Sequence, residues 1–329
     1  MELKILHMSD LHISKKNLKD IKIVLDALWK DVTSIEASFD YVLFSGDLIY
    51  HGNQGRDVEY GLAKTEFLDV LSAKTGVPKE KIIIAPGNHE MNRDCIDRFI
   101  DADLSDKFKS REEVNEVIDN LDKRMPLFGR VADFNEFRKE FTFDNPNIIR
   151  DTLLGSSYVF EQEGAKIGVA CMNTAWASYG GDEDYGKLLL GERQVDEAIA
   201  DIKACDIKIA LFHHPIDWLK LFDKNSVYQR LITEFDLILY GHMHMPDGKQ
   251  LICNDHSAVL LQCASLFLGR AYNGYTVIKV DLDTRNVDVY FREYFEGVRR
   301  VFGEALRIAP NGHECFTLKG ACPIKKKRN

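Results

Sequence analysis

Six short, almost wholly apolar runs punctuate this chain: LKILHM (3–8), YVLFS (41–45), KIIIAP (81–86), AKIGVACM (165–172), IKIALF (207–212) and FDLILY (235–240). They are too continuously apolar for strands with one face in water. Strands buried on both faces read this way, so the runs predict sheets covered by other layers on each side. Between the first three runs lie 19–37 and 58–76, whose apolar residues recur at helical spacing. Gly76 and Pro78 supply a stop signal for the second of these helices. Strand–helix–strand order predicts a largely parallel sheet.

The pattern changes further on. Residues 274–282 and 286–295 flank Asp283, Thr284 and Arg285, a hairpin signal. The last third is therefore expected to be antiparallel, forming a second sheet packed on the first. Residues 92–150 are charged and helix-prone, and read as an inserted helical cap within one domain spanning 1–329. Ser110 and Glu113 open the segment 110–125 with capping-box spacing. Residues 320–329 form a basic tail whose KKKR (325–328) reads as solvated.

Composition excludes some classes. Hydrophobic residues at 45% with charged residues at 29% describe a soluble globular chain. Asp and Glu outnumber Lys and Arg by 52 to 43, a formal charge of −9. The overall field does not steer the chain toward nucleic acid, which leaves room only for a local basic groove. No apolar stretch approaches the roughly 20 residues of a membrane span. The first residues lack the pattern of a signal peptide, so the expected compartment is the cytoplasm. Seven scattered cysteines without a CxxC pair point to reduced thiols rather than a disulfide framework.

The informative residues follow the apolar runs. Asp10 and His12 come after the first, and Gly46 and Asp47 after the second. Gly87, Asn88, His89 and Glu90 follow the third. His213 and His214 follow the fifth, and Gly241, His242 and His244 the sixth. Each motif alone is an ordinary turn or strand end. Together they put carboxylate, carboxamide and imidazole donors at five strand tips, where ligands of open α/β sheets bind. Such donors suit Mn, Fe, Zn or similar divalent ions without thiolate. A carboxylate shared between two ions offsets their repulsion, and Asp47 is the natural bridge. In extended backbone, i and i+2 side chains point the same way, so Asp10 and His12 are expected to chelate one ion. His242 and His244 repeat that spacing. The flanking glycines are expected to allow close backbone approach.

In this order, DxH, GD, GNHE, HHP and GHMH resemble the five-block signature of the calcineurin-like dinuclear metallophosphoesterases. The blocks span residues 10 to 244. The resemblance implies a four-layer α/β/β/α sandwich of two mixed sheets, with the C-terminal hairpins in the second sheet. It implies two divalent metal ions. Asp10, His12, Asp47 and His244 would hold one, and Asp47, Asn88, His213 and His242 the other. His89 would stay outside both shells and face the leaving group, while His214 reads as structural. The family's protein phosphatases carry GDxxDRG, whereas residues 46–52 read GDLIYHG. Tyr50 replaces the aspartate and His51 the arginine, which argues against a protein phosphatase and leaves the partner of His89 open between Glu90 and Tyr50. Arg93, His51, Trp176 and Tyr185 are the candidate substrate contacts. The expected activity is hydrolysis of a phosphodiester of nucleotide or cyclic-nucleotide type by a metal-bridging hydroxide. A DNA or RNA nuclease, a phosphomonoesterase and a catalytically silent metal-stabilised binding module are the alternatives.

Overall fold

The computed structural model describes residues 1–51, 56–95, 104–124, 128–269 and 272–320. Strand β1 (Glu2–Met8) lies parallel to β2 (Tyr41–Phe44), and β2 parallel to β3 (Ile82–Ile84). Helix α1 (Leu18–Ile35) makes the first crossover. The second is helical from residue 56, passes through two π-helical stretches and ends as α2 (Asp69–Thr75). Gly76 stops it in the left-handed conformation, φ 72°, with its N–H on the Ser72 carbonyl, a geometry that disfavours any residue with a Cβ.

Residues 92–150 are partly helical. Ser110 caps α3 (Arg111–Asp119) by accepting the Glu113 N–H at 3.4 Å. The Glu113 carboxylate reaches back to the Lys109 N–H at 2.7 Å, one residue earlier than a capping box would place it. The helix stops at Asp119, short of the expected 125, and a 3-10 turn follows at Leu121–Arg124. Helix α4 (Ala132–Phe141) turns Phe134, Phe137 and Phe141 into the core over the first sheet. The end of the segment is a strand, β4 (Ile148–Asp151).

β4 is one edge of the second sheet. Beside it lie β5 (Gly155–Gln162), β6 (Ala165–Met172), β7 (Ile207–Leu211) and β8 (Leu237–Tyr240). Then comes β10 (His256–Gln262), with β9 (Asp247–Cys253) at the far edge. The run β6-β7-β8-β10 is parallel and the outer pairs are antiparallel. Helices α5 (Glu192–Ile202) and α6 (Leu221–Glu234) cover its outer face.

The chain then returns to the first sheet. β11 (Gly274–Asp281) pairs antiparallel with the free side of β1, and β12 (Asn286–Phe295) pairs with β11. β13 (Val301–Glu304) and β14 (His313–Thr317) both pair with β12. The hairpin at 274–295 is thus real, but it joins the first sheet rather than the second. The reason is backbone saturation: without β11, the buried β1 would leave a row of N–H and C=O groups unpaired.

Four layers follow from strict alternation. Val42 and Phe44 face α1 and α2, whereas Tyr41 and Leu43 face the second sheet. There they meet Ile167, Val169, Ile209 and Leu239, forming the core between the sheets. A third core lies beneath α5 and α6. A fourth joins Val114, Val117 and Phe128 of the 92–150 segment to Met91 and Trp176. No helix among the described residues is long and apolar enough to cross a membrane.

Candidate metal centre

The strands end in register, and their loops run side by side. Asp10 N–H donates to the Gly46 carbonyl (2.9 Å) and His12 N–H to the Asp47 carbonyl (3.0 Å). Leu266 N–H and Phe267 N–H bind the Ser9 and Asp10 carbonyls, while Gly241 N–H binds the His213 carbonyl. This backbone mesh ties the DxH loop to the GD loop and HHP to GHMH, and the His89 N–H on Asp47 Oδ1 adds the GNHE loop.

The local backbone is not extended, which corrects the reasoning for the two pairs spaced at i and i+2. Asp10, His12, Asp47, His242 and His244 have φ of 55°, 51°, 57°, 71° and 62°. Left-handed conformation is uncommon for residues other than glycine and concentrates at functional sites. Here it curls each loop back over the strand ends, so the side chains converge although the strands have finished.

Asp10, His12 and His244 form one donor cluster, and Asp10, Asp47 and His213 an adjoining one. His244 Nε2 is 3.2 Å from Asp10 Oδ1, and His213 Nε2 is 3.2 Å from Asp47 Oδ2. His12 Nε2 stands 4.0 Å from that same Asp47 oxygen. His242 Nδ1 faces His213 Nε2 at 3.2 Å. The His213 Nδ1 proton goes to the Ser45 carbonyl (2.7 Å), which turns the Nε2 lone pair inward.

These donors fit divalent cations. Asp10 Oδ1 is buried and faces His244 Nε2 at 3.2 Å and His12 Nε2 at 3.7 Å. Burial opposes a charge on His213, but Asp47, Asp10 and the Ser45 carbonyl outweigh it and lift its pKa to about 9. Burial lowers His12 to about 4, and burial with His213 lowers His242 to about 3. His12 and His242 are thus neutral, the state in which imidazole binds metal, whereas His213 would release a proton on binding one. The backbone leaves room for little else. A Cβ on Gly87 would lie 2.1 Å from Asp47 Oδ1, and one on Gly241 2.0 Å from Ser9 Oγ.

Asn88 is held by a neighbour. Thr174 Oγ1 accepts the His214 N–H, so its own proton goes to His214 Nδ1 (3.0 Å). His214 Nε2–H then donates to Asn88 Oδ1 at 3.2 Å. Burial first, then the positive charge of His213, holds the His214 pKa well below its ordinary value. Through the Nε2–H bond His214 orients the asparagine, and its ring also lies in a third donor group with His213 and His242.

His89 is tied at three points: its N–H donates to Asp47 Oδ1 (2.9 Å), its Nδ1–H donates to the Tyr50 carbonyl, and its Nε2 lies 3.9 Å from Asp47 Oδ2. The open question of its partner is therefore answered by the backbone of Tyr50. Glu90 does something else. Buried, it accepts the N–H groups of Asp47 (2.8 Å), Gly87 (2.7 Å) and Ile49 (3.1 Å), clamping the GD and GNHE loops together. Burial and the nearby Asp47 raise its pKa to about 7.

The four candidate substrate contacts divide. His51 is exposed beside Tyr50, ring centroids 4.2 Å apart, and stacks toward His89 at 6.4 Å. Tyr185 is 63% exposed and meets Trp218 edge-on at 5.5 Å. Arg93 is exposed at the same end. Trp176 is not a substrate contact: it is fully buried, packed against Phe108 and Phe128. Phe108 and Phe128, from the segment 92–150, supply a core for the indole. Trp176→Ala is expected to cost about 3–5 kcal/mol of stability, as for a buried aromatic, which denaturant unfolding measures. An unchanged unfolding midpoint would return Trp176 to the surface.

Trp218 was not anticipated. Its ring lies 4.1 Å from that of His242, nearly perpendicular, and is 7% exposed. The only signal was an aromatic three residues after Pro215 in HHPIDW.

Fold and donor set together define a four-layer α/β/β/α protein built to hold a pair of divalent metal ions. A model described as calcineurin-like phosphoesterase matches residues 3–246, and the chain belongs to that family. An uncharacterized metallophosphoesterase-like protein, YydB of Bacillus subtilis (strain 168), is 26% identical over 260 residues. The match covers 74% of this chain and 49% of that protein, so the chain spans about half the length of this relative. Among solved structures, GAP50, the anchor in the inner membrane complex of Plasmodium, aligns with 99% of this chain and 90% of its own, at a TM-score of 0.52 and 12% identity. At that identity the likeness concerns the fold alone.

Proposed function

We propose that the protein hydrolyses phosphodiesters, with nucleotides or cyclic nucleotides as the substrate class. One observation carries this reading: flat rings stand beside the donor cluster, Tyr50, His51 and Tyr185 exposed and Trp218 packed against His242. A nucleotide diester places a base beside its phosphate. Exposed rings suit a stacked base.

Asp10, His12, Asp47 and His244 would hold one ion, and Asp47, Asn88, His213 and His242 the other, with Asp47 common to both. Bound there, such ions supply Lewis-acid charge and a coordinated water of lowered pKa. The chain's own groups do the rest. Ser45 and His214 fix the orientation of His213 and Asn88. Glu90 holds the loops of Asp47 and Asn88 at a constant separation. His89 keeps its Nδ1 proton on the Tyr50 carbonyl and presents Nε2 to the leaving oxygen. The segment 92–150 shapes substrate entry in this reading. Six unpaired thiols among the described residues accord with the cytoplasm.

The test is a substrate panel with Mn²⁺-loaded protein: an aryl diester and its monoester, cyclic mononucleotides, dinucleotides and single-stranded DNA. Diesters should exceed monoesters in kcat/KM by about tenfold or more, a modest 1.4 kcal/mol in the barrier. Turnover confined to monoesters would sink the reading. Preference for DNA would favour a nuclease, and retained metals without turnover a binding module.

A further inference from the structure

Arg93 begins a 3-10 turn, Arg93–Cys95, four residues beyond His89. Among the described residues its guanidinium makes no hydrogen bond and no ion pair. It is nonetheless seated. A Cβ built on Gly180 would stand 2.0 Å from Arg93 Nη2 and 2.6 Å from Cζ, so only a glycine lets the guanidinium lie there. Gly180 and Gly181 have φ of 95° and 100°, which bends the loop beneath it. Asp184, 5% exposed, pins that loop by accepting the N–H groups of Tyr179 (3.0 Å) and Gly180. Its carboxylate takes its hydrogen bonds from backbone N–H groups and acts on the arginine through charge alone.

Arg93 lies near the donor cluster, four residues beyond His89 and close enough to His51 for its charge to act there. His51 has its pKa lowered first by burial, then by the charges of His89, Arg93 and Lys16. His51 also stacks toward His89, the planes 14° apart. Arg93 thus lies near His51, whose ring faces that of His89 at 6.4 Å. Residues 46–52 supply no arginine there, and Arg93 brings a fixed cation from the neighbouring motif.

We propose that Arg93, seated on Gly180, is a phosphate-orienting residue whose guanidinium fork takes the non-bridging oxygens of a phosphate group held beside His89. As a contact to substrate the inference rests on the phosphoesterase reading, but the binding of phosphate tests it separately. A planar fork holds two oxygens at once, which an ammonium cannot do.

The experiment measures the affinity of inorganic phosphate for metal-loaded wild type, Arg93→Met, Arg93→Lys and Gly180→Ala by calorimetry. Metal content and thermal midpoint are controls. Arg93→Met should bind phosphate about tenfold more weakly or worse, and Arg93→Lys should recover little of the loss. Gly180→Ala displaces the guanidinium without removing it and should weaken phosphate in the same direction. In Arg93→Ala, added guanidinium at millimolar concentration should restore affinity, which a merely structural role would not permit. On any ester the protein turns over, KM should rise more than kcat falls. Wild-type phosphate affinity in both Arg93→Met and Arg93→Lys, with metals retained, overturns the proposal. So does the absence of phosphate binding in metal-loaded wild type. If no ester is hydrolysed but phosphate binding falls in the variants, the clamp stands and the hydrolytic reading fails. If esters are hydrolysed with unchanged KM and phosphate affinity, the reverse holds.

Discussion

Asp47→Asn should strip both metals from the protein and abolish turnover together with them. Asp47 Oδ2 is 3.2 Å from His213 Nε2 and 4.0 Å from His12 Nε2, so the same oxygen faces both halves of the donor set. Its other oxygen accepts the His89 N–H. Removing an outer hydrogen-bond partner of a metal ligand already costs about 10–100-fold in affinity or activity, so loss of a shared ligand should exceed about 100-fold. Asn88→Ala should reduce the metal content at one position only, because Asn88 reaches the cluster from the His214 side. Elemental analysis of the purified variants reads the difference. Two tightly held ions in Asp47→Asn would mean that Asp10, which belongs to both clusters, is the bridge instead.

His89→Asn should do the opposite: keep the metals and lose the chemistry. The Nδ1–H bond to the Tyr50 carbonyl fixes the ring and, in the proposed mechanism, reserves Nε2 for the substrate. A positioned acid–base group contributes about 10²–10⁴-fold to kcat. The full loss should appear with a poor leaving group such as a ribose hydroxyl. Nitrophenolate needs little protonation, so an aryl diester should lose much less. An equal loss on both substrates would assign His89 to charge stabilisation rather than proton transfer. Undiminished kcat with either would remove it from the reaction.

The buried parallel strands were legible because a strand covered on both faces must be apolar throughout. That is why β1, β2, β6 and β7 fell within a residue or so of their apolar runs. β5 escaped because its sequence, GSSYVFEQ, opens with serines, although Ser156 and Ser157 are buried. β9 escaped because an edge strand tolerates polar side chains along its length, as in DGKQLIC. Nothing within 274–281 indicates which sheet that strand will join, since the choice depends on the free side of β1. The donor residues were legible as a set, by type and order. Their geometry was not: periodicity describes extended backbone, and five of the donors sit at positive φ. Trp176 misled because its burial depends on Phe108 and Phe128, which lie far from it in the chain.

The place of β1 between β2 and β11 also sets a clock. Asp10 and His12 leave the ribosome first among the donors, yet the strand that carries them waits for residues 274–281 before its second side is paired. The His242 N–H that binds Asp10 Oδ2 arrives 232 residues after it. Contacts so distant along the chain form late, once loop-closure entropy has been overcome. A nascent chain therefore exposes carboxylates and imidazoles that cannot yet converge, and the complete cation cage comes into being only as the last strands of the first sheet dock. Metal capture becomes a report on finished folding, and a chain arrested before its hairpin at 274–295 should leave the ribosome without bound metal.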